Sequence, residues 1–256
     1  MLTPIDLTVA QERSLLGRTN PLVKLGLALA WLVGLAVIHD PVRPLLLAVV
    51  AVMAGLALGR IPPARLFRGL VPLGMAALSI AVATLVFAAA NTDPTAHELL
   101  RVGPLRITRE AVAAAAALGA RVIAIVSTGV VFAQTTDPTR LVDALVQQAR
   151  LPERFAYGAL AAYQAVPRLG QDLATLRQAR RVRGVARTWR PRLLVGLLVG
   201  LLVRAIRHAD QLALAMDARA FGSGPRTTFR PLRWQWTDLA VAVAGVAILA
   251  ASLARR

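Results

Sequence analysis

Two arginines lie at the ends of two helix-forming runs. Arg183 directly precedes Gly184 in "ARRVRG", and Arg219 lies in "AMDARAFG", shortly before Gly222. A guanidinium pairs bidentately with carboxylates and also bonds backbone carbonyls, so exposed arginines at helix ends could anchor a partner protein. The alternative is structural, because a cation near a helix C-terminus complements the helix dipole and glycine commonly ends a helix. The pattern leaves both interpretations open.

Other chemistries have little support in the sequence. The chain has no cysteine, and its three histidines, His39, His97 and His208, lack the spacing of metal ligands, so we predict no metal site. Residues 222–228, "GSGPRTT", lack the Gly-Lys-Ser/Thr that binds nucleotide phosphates and Mg²⁺. The chain is therefore expected to bind no ATP and no cofactor of its own, and to be no enzyme.

The composition indicates an integral membrane protein. Hydrophobic residues make up 57% of the chain and the mean hydropathy is +0.60, beyond the values of ordinary soluble domains. The net charge of +17 suits anionic lipid headgroups or an acidic protein partner. We predict no nucleic-acid partner, because a bare charge run such as 177–192 is usually a solvated, lipid-facing or partner-facing surface.

Five apolar stretches are candidates for membrane-spanning helices, which need about 20 residues. They cover residues 22–38, 44–59, 70–90, 111–133 and 236–254. A sixth stretch, 193–206, is apolar but short. We predict that it is buried or tilted, because a span there would put Arg183 and Arg219 on opposite sides of the membrane. Residues 91–109 are predicted to be an external loop with acidic and basic residues mixed.

The topology follows from the basic residues near the spans, which are enriched on the cytoplasmic side. Those before the first span and between the second and third place the amino terminus in the cytoplasm. The predicted all-α protein has four spans in 1–134, a cytoplasmic helical domain in 135–233 and a last span in 234–256. Trp234 and Trp236 are predicted to anchor that last span at the interface.

The cytoplasmic domain is predicted to be entirely helical. Asp137 is a helix N-cap and Pro138 the first helical residue. A second helix is predicted to end at Pro167 and a third at Gly184. The fourth, 192–222, has a basic stripe opposite an apolar one and should lie along the membrane surface or a partner.

Arg121 is a charge within the fourth predicted span. Intramembrane charges usually face the bundle interior and mark functional sites. The alternative is that Arg121 snorkels to the interface or pairs with a loop carboxylate such as Glu110. The sequence leaves these two interpretations open.

Several motifs together resemble the transmembrane (T) component of energy-coupling factor transporters, which are ATP-driven importers of vitamins and transition metals. "ARRVRG" and "AMDARAFG" resemble that family's two Ala-Arg-Gly motifs. "SLLGRTNPLVKL" at 14–25 is similar to its amino-terminal Ser-x-Leu-His-x-Leu-Asp-Pro-x-x-Lys-Leu, and "TTDPTRLVDAL" at 135–145 with "LPERFA" at 151–156 to the entry of its coupling domain. The matches follow the family order along nearly the whole chain.

The chain departs from the family pattern at four positions, two in the motifs and two near the amino terminus. The two motifs read Val182, Arg183, Gly184 and Ala218, Arg219, Ala220. Gly17 and Asn20 stand where His and Asp are usual. Both arginines are kept, so these changes affect the fine geometry of the motifs more than their role.

The resemblance implies a role in energy coupling. Arg183 and Arg219 would lie at the tips of two coupling helices, each docking into one ATP-binding cassette ATPase subunit. The motion would pass to a separate substrate-binding membrane (S) subunit. The expected protein is a non-catalytic scaffold in a bacterial-type cell membrane, with two ATPases, one S subunit and the lipid bilayer as partners. The alternative is a stand-alone secondary transporter, for which Arg121 is the one polar feature within a span.

Overall fold

The computed structural model describes residues 14–38, 40–91, 97–102, 105–184, 191–224, 228 and 230–254. Within these ranges the chain is mostly helical, which confirms the predicted all-α class of polytopic membrane protein. It divides into two compact units. We call Leu7–Leu141 with Arg233–Arg256 the membrane unit and Val142–Leu232 the hairpin unit. The predicted functional division at residues 134 and 233 stays a prediction.

The elements of the membrane unit are mostly apolar helices. They are α1 (Leu15–Arg18), α2 (Pro21–Val37), α3 (Val42–Ala57), α4 (Pro63–Phe87), a 3₁₀ turn (Ala89–Asn91), β1 (Glu98–Val102), β2 (Leu105–Thr108), α5 (Arg109–Thr135) and α9 (Trp236–Ala254). The boundary between the units falls within α6 (Pro138–Gln147). The hairpin unit continues with α7 (Glu153–Val182) and α8 (Pro191–Ala218).

Three helical segments are long and apolar enough to cross a membrane. They are Pro63–Asn91, Arg109–Thr135 and Trp236–Ala254, which contain the predicted third, fourth and fifth spans. The first two predicted spans are present as the shorter apolar helices α2 and α3, of 17 and 16 residues. The count of five spans stays a prediction. Among the described helices α8 is not one of the long apolar segments, in agreement with the prediction that 193–206 is no span. The alternative that this stretch is buried is wrong for the described chain, because Leu194, Leu198 and Leu202 are 50%, 62% and 59% exposed.

Close packing of α2 against α9 holds the centre of the membrane unit. The core side chains are Trp31, Leu35 and Ile38 from α2 and its end, Leu47, Ala48 and Ala51 from α3, Ala124 from α5 and Leu249 from α9. A Cβ atom at Gly34 would lie 2.5 Å from Leu249 Cδ1, and one at Gly245 would lie 2.5 Å from Leu27 Cδ1. A larger residue at either position would require the facing leucine side chain to shift, so glycines allow the two helices to pack closely.

The predicted loop at 91–109 contains two short strands that were not predicted. β1 and β2 pair antiparallel with Arg101 opposite Arg106, and Arg106 forms an ion pair with Glu98. The only local signal for them is "LRIT" of β2, which alternates apolar and polar residues. Thr108 ends β2 and caps α5, since its Oγ1 accepts a hydrogen bond from the Ala111 N–H at 3.3 Å.

The amino-terminal motif folds onto the end of α5. Lys24 is buried, and its ammonium donates to the carbonyls of Leu16 at 2.9 Å and Thr135 at 2.7 Å. Arg140, in the first turn of α6, donates to the carbonyl of Gly17 at 2.8 Å. Two cations thus bond backbone oxygens of the short helix α1 and connect the start of the chain to the α5–α6 connection.

Asp238 joins the starts of two helices. Its carboxylate is 1% exposed and accepts the Asn20 N–H at 2.7 Å and the Gln235 N–H at 2.8 Å. Asn20 is the N-cap of α2, and its side chain accepts the Leu22 N–H at 3.0 Å. Asn caps a helix as well as Asp does, so the departure from the family motif at this position preserves the local structure. The negative charge lies where both helix dipoles are positive.

The hairpin unit contains one long helix where two were predicted. α7 runs through Pro167, so the predicted helix end there is wrong. Proline removes one backbone hydrogen bond and costs about 3 kcal/mol inside a helix. Contacts with α8 support α7 at and after this point, with Arg168 Nη1 3.1 Å from His208 Nε2 and Arg204 bonded to Asp172 at 2.7 Å.

The two long helices run antiparallel. Along the contact, residue numbers decrease in α8 as they increase in α7. Arg204 bonds Asp172, and Gly196 lies near Arg180. The predicted N-cap at the start of α6 is confirmed, because Asp137 Oδ1 accepts the Thr139 N–H at 3.0 Å.

The Asp238 junction yields the first prediction. Asp238→Ala should lower the free energy of unfolding by at least about 2 kcal/mol, because each buried N–H left without an acceptor costs roughly 1 to 3 kcal/mol. Asp40→Ala is the matched control, since Asp40 is 54% exposed and pairs only with Arg43. Thermal unfolding in detergent, followed by circular dichroism, measures both. Equal melting temperatures would contradict the proposed importance of the junction.

Candidate functional site

Arg183 and Arg219 occupy matching positions in the hairpin unit. Each is the first residue beyond the last helical residue, which is Val182 in α7 and Ala218 in α8. Both side chains are exposed. Because α7 and α8 run antiparallel, the two arginines lie at opposite ends of the pair. Arg219 lies level with the start of α7, near Tyr157, so the helical rise of 1.5 Å per residue separates the arginines by about 40 Å.

The backbone around Arg219 forms a Schellman motif. The Phe221 N–H bonds the Met216 carbonyl at 3.0 Å, and the Ala220 N–H bonds the Asp217 carbonyl at 2.9 Å. Ala220 has a φ of 55°, in the left-handed region that glycine favours. The turn satisfies two of the last carbonyls of α8 and leaves Arg219 at its outer corner.

The backbone after Arg183 follows the same plan. The Gly184 N–H bonds the Arg181 carbonyl at 3.0 Å, and Gly184 has a φ of 72°. Ala220 therefore adopts the conformation that Gly184 adopts in the first motif. The departure from the Ala-Arg-Gly pattern leaves the helix-end geometry unchanged.

Neither guanidinium has a bonding partner in the part of the chain that the structure describes. The side chains of Arg183 and Arg219 make no hydrogen bond or ion pair to any residue that the structure describes. Arg204 differs, because it bonds Asp172 on the facing helix. The helix-end carbonyls bond backbone N–H groups rather than these guanidiniums. The interpretation as side-chain caps therefore reduces to the dipole effect, worth about 0.3 to 1 kcal/mol at an exposed site.

An aromatic contact fixes the second motif in place. Phe221 packs edge to face on Tyr157 of α7, with 6.2 Å between ring centroids. The Tyr157 hydroxyl bonds Asp143 of α6 at 3.1 Å. Arg219 lies at the edge of a hollow of about 400 Å³ next to these rings. Sequence reasoning missed Phe221 and Tyr157, although an apolar residue two positions after a helix C-cap is typical of a Schellman motif.

The first motif also presents an apolar side chain. Val182 is 90% exposed beside Arg183, and the small residues Gly184, Ala218 and Ala220 are exposed as well. Arginine is enriched in protein interfaces, so an exposed arginine with an exposed apolar neighbour is a candidate contact for a partner.

Arg121 bonds a helix end within the membrane unit. Its Nη2 donates to the carbonyl of Ile38, which follows the last residue of α2. Its Nε has no partner in the described part of the chain. No carboxylate there pairs with it, so the predicted partner Glu110 is not found. A cation at the negative end of α2 is electrostatically favourable.

Comparisons with known proteins agree with the motifs. A family model described as CbiQ, cobalt transport protein, matches residues 12–229. The energy-coupling factor transporter transmembrane protein EcfT of Heliobacterium modesticaldum is 30% identical over 262 residues, covering 95% of this chain and 96% of that protein. The EcfT protein of Limosilactobacillus fermentum is 30% identical over 251 residues, covering 92% and 91%. A putative ABC transporter ATP-binding protein of Bifidobacterium longum is 27% identical over 254 residues, covering 94% of this chain and 32% of that protein.

The left-handed residue after Arg219 yields a prediction. Ala220→Gly should raise the free energy of unfolding by roughly 1 kcal/mol, because it removes the cost of a Cβ atom in the left-handed region. Ala218→Gly is the matched control, since the same change within α8 should lower stability by up to about 1 kcal/mol. Thermal unfolding of both variants measures the difference. A shift of the same sign for both would contradict the assigned backbone conformation.

Arg121 yields a third prediction, of a structural role. Arg121→Met should lower the free energy of unfolding by about 1.5 to 3 kcal/mol, the worth of a hydrogen bond to a charged group. Arg109→Met, at the exposed start of the same helix, should change it by less than about 0.5 kcal/mol. Thermal unfolding and transport are measured together. Loss of transport with unchanged unfolding would instead assign Arg121 a function in transport.

Proposed function

Because this chain belongs to the CbiQ family of cobalt transport proteins and is a transmembrane component of an energy-coupling factor transporter, we propose that it transmits ATPase motion to a separate substrate-binding subunit. In this role it is a non-catalytic scaffold. ATP is bound and hydrolysed by partner subunits, and the chain needs no cofactor of its own. The transported solute, a vitamin or a transition-metal ion, is held by the substrate-binding subunit.

One observation carries the proposal. The guanidiniums of Arg183 and Arg219 lie at matching helix ends and bond no residue in the described part of the chain. A guanidinium that bonds nothing internally can form a bidentate pair with a carboxylate in a partner's groove. Arg183 and Arg219 lie about 40 Å apart, as the rise of α7 implies. Two anchors at that distance suit two separate ATPase subunits, one at each end of the antiparallel pair. Val182, Gly184, Ala218 and Ala220 supply the small or apolar contacts around them.

The hairpin unit has features of a mechanical connection. α7 and α8 contain 30 and 28 residues, and Gly196 and Gly200 of α8 face the side chains of Arg180 and Leu176 of α7. The Arg204–Asp172 pair bridges them, although about 40% exposure of both side chains limits its worth to a fraction of a kcal/mol. Two packed helices move as one body more readily than a loop, so displacement at one arginine is carried along the pair.

The similarity to the Bifidobacterium longum protein supports an association with ATPases. A region similar to nearly all of this chain accounts for 32% of a polypeptide whose name is putative ABC transporter ATP-binding protein. A partner that binds ATP is consistent with that arrangement. The alternative of a stand-alone secondary transporter depends on Arg121, and this side chain is engaged at the end of α2.

The orientation belongs to the same proposal. Lys24 and the carbonyls of Leu16 and Thr135 that it bonds form what we call the Lys24 junction. Basic residues lie near this junction and near the starts of α4 and α6, namely Arg18, Arg60, Arg65 and Arg140. Basic residues near spans are enriched on the cytoplasmic side. We therefore place this end of the membrane unit, and with it the amino terminus, in the cytoplasm of a bacterial-type cell.

The arginines yield the central prediction. Arg183→Ala and Arg219→Ala should each weaken ATPase attachment by more than about a hundredfold, because stranding one member of a desolvated ion pair costs about 3 to 5 kcal/mol. The double variant should lose attachment and uptake. Co-purification from membranes, with ATPase and uptake assays, measures the effect.

Arg181→Ala and Arg207→Ala are the matched controls. Arg181 lies in α7, which ends before Arg183, and Arg207 lies in α8, which ends before Arg219. Each control therefore removes one exposed positive charge from the helix of its motif arginine, outside the three motif residues. They should keep attachment and uptake. If the controls lost as much ATPase attachment and uptake as the motif variants, the effect would come from positive charge in general and not from the two motif arginines. Full attachment in the double variant would assign the arginines to the helix dipole and refute the coupling role.

A further inference from the structure

The membrane unit contains an apolar cavity of about 380 Å³. It lies between α2, α3, α5 and α9, and its walls include Leu27, Trp31, Ala54, Val131 and Ala244. Protein interiors are normally close-packed, with few voids larger than a water molecule. This cavity is open on one side, since Ala244 in its wall is exposed, so its apolar walls leave surface that an apolar molecule can cover.

The polar groups around the cavity are already engaged. The hydroxyls of Thr19 and Thr135 bond carbonyls four residues earlier in the chain, both at 2.8 Å. The Lys24 ammonium bonds two backbone carbonyls, and Thr237 bonds the Gln235 side chain at 3.4 Å. A site for a polar solute needs several free polar groups that fix its orientation. Such a solute, or a cluster of water, finds few partners here.

The cavity opens between apolar side chains. Leu15, Leu58 and Ile248 line it and remain 55%, 40% and 37% exposed. Leu15 lies in α1, Leu58 follows α3 and Ile248 lies in α9. Leu15 and Leu58 lie close to Arg18 and Arg60, at the end of the membrane unit that we place at the cytoplasmic interface, whereas Ile248 lies within the apolar helix α9. In a chain that spans a membrane, a lipid tail can therefore enter past Ile248 from the hydrocarbon of the bilayer.

The volume fits a lipid tail. An apolar cavity of about 150 Å³ takes up a six-carbon ring, so this cavity has room for roughly fifteen methylene groups. We propose that it binds the acyl chain of a phospholipid from the surrounding bilayer. The bound chain fills the space between four helices and lies directly beside the Lys24 junction. It acts as a structural part of the membrane unit, whatever the role of the arginines in the hairpin unit.

The first experiment fills the cavity. The double variant Ala54→Leu with Ala244→Leu adds bulk to its walls, and Ala57→Leu with Ala247→Leu adds the same bulk on exposed faces of the same two helices. The full chain is purified in detergent, and the retained phospholipid is extracted and quantified by mass spectrometry. We expect wild type and control to retain phospholipid in proportion to protein. The filled variant should retain about tenfold less phospholipid per protein. This is the loss of affinity expected when roughly two methylene groups of the lipid tail are no longer buried.

The second experiment keeps the proposal testable if the filled variant does not fold. Trp31 lines the cavity, and the other tryptophans are removed by Trp189→Phe, Trp234→Phe and Trp236→Phe. The protein is titrated with phosphatidylcholine brominated in the acyl chain, in mixed micelles. Quenching of Trp31 that saturates near equimolar lipid supports a defined site. Quenching that only follows the bulk lipid fraction, or equal lipid retention by filled and control variants, overturns the proposal.

Discussion

Hydrogen bonds between buried or half-buried charges and helix ends organise the membrane unit. Asp238 accepts two N–H groups at the starts of α2 and α9, where helix dipoles are positive. Lys24 donates to a carbonyl at the end of α5, and Arg121 to one at the end of α2, where the dipoles are negative. Each charge satisfies backbone groups that an apolar surrounding would leave unpaired at high cost. This rule explains why charged residues persist in so apolar a unit, and it fixes the positions where the helices begin and end.

The hairpin unit uses the same residue type at helix ends in a different way. After Met216 the backbone closes its own hydrogen bonds through a left-handed residue, so Arg219 is not needed as a partner for the carbonyls. The helix end after Arg183 closes similarly through Gly184. An arginine that bonds a carbonyl, as Arg121 does, is part of the fold. An arginine that a complete turn leaves exposed has hydrogen-bonding capacity to offer another molecule, and this difference supports the coupling proposal for the hairpin unit alone.

Sequence patterns predicted those features that depend on local chemistry. Apolar runs located the helices, and the pair Asp137 and Pro138 located the start of α6, because both signals act within one helical turn. The continuation of α7 through Pro167 could not be predicted, since support from α8 offsets a local penalty. The Asp238 junction was equally hidden, because it joins Asn20 to a residue 218 positions away. Contacts of that range depend on how whole helices pack, which no local spacing encodes.

The second motif shows which property of the Ala-Arg-Gly pattern the structure requires. A non-glycine residue in the left-handed region costs roughly 1 to 2 kcal/mol, yet Ala220 adopts it. The Phe221 ring on Tyr157 offsets part of this cost, since an aromatic pair contributes about 0.5 to 1.5 kcal/mol beyond its buried area. What the motif needs is therefore a left-handed turn directly after the arginine, and glycine is the least costly way to make it. Wherever another contact holds the turn, as the aromatic pair does here, glycine can be replaced while the arginine keeps its place at the outer corner.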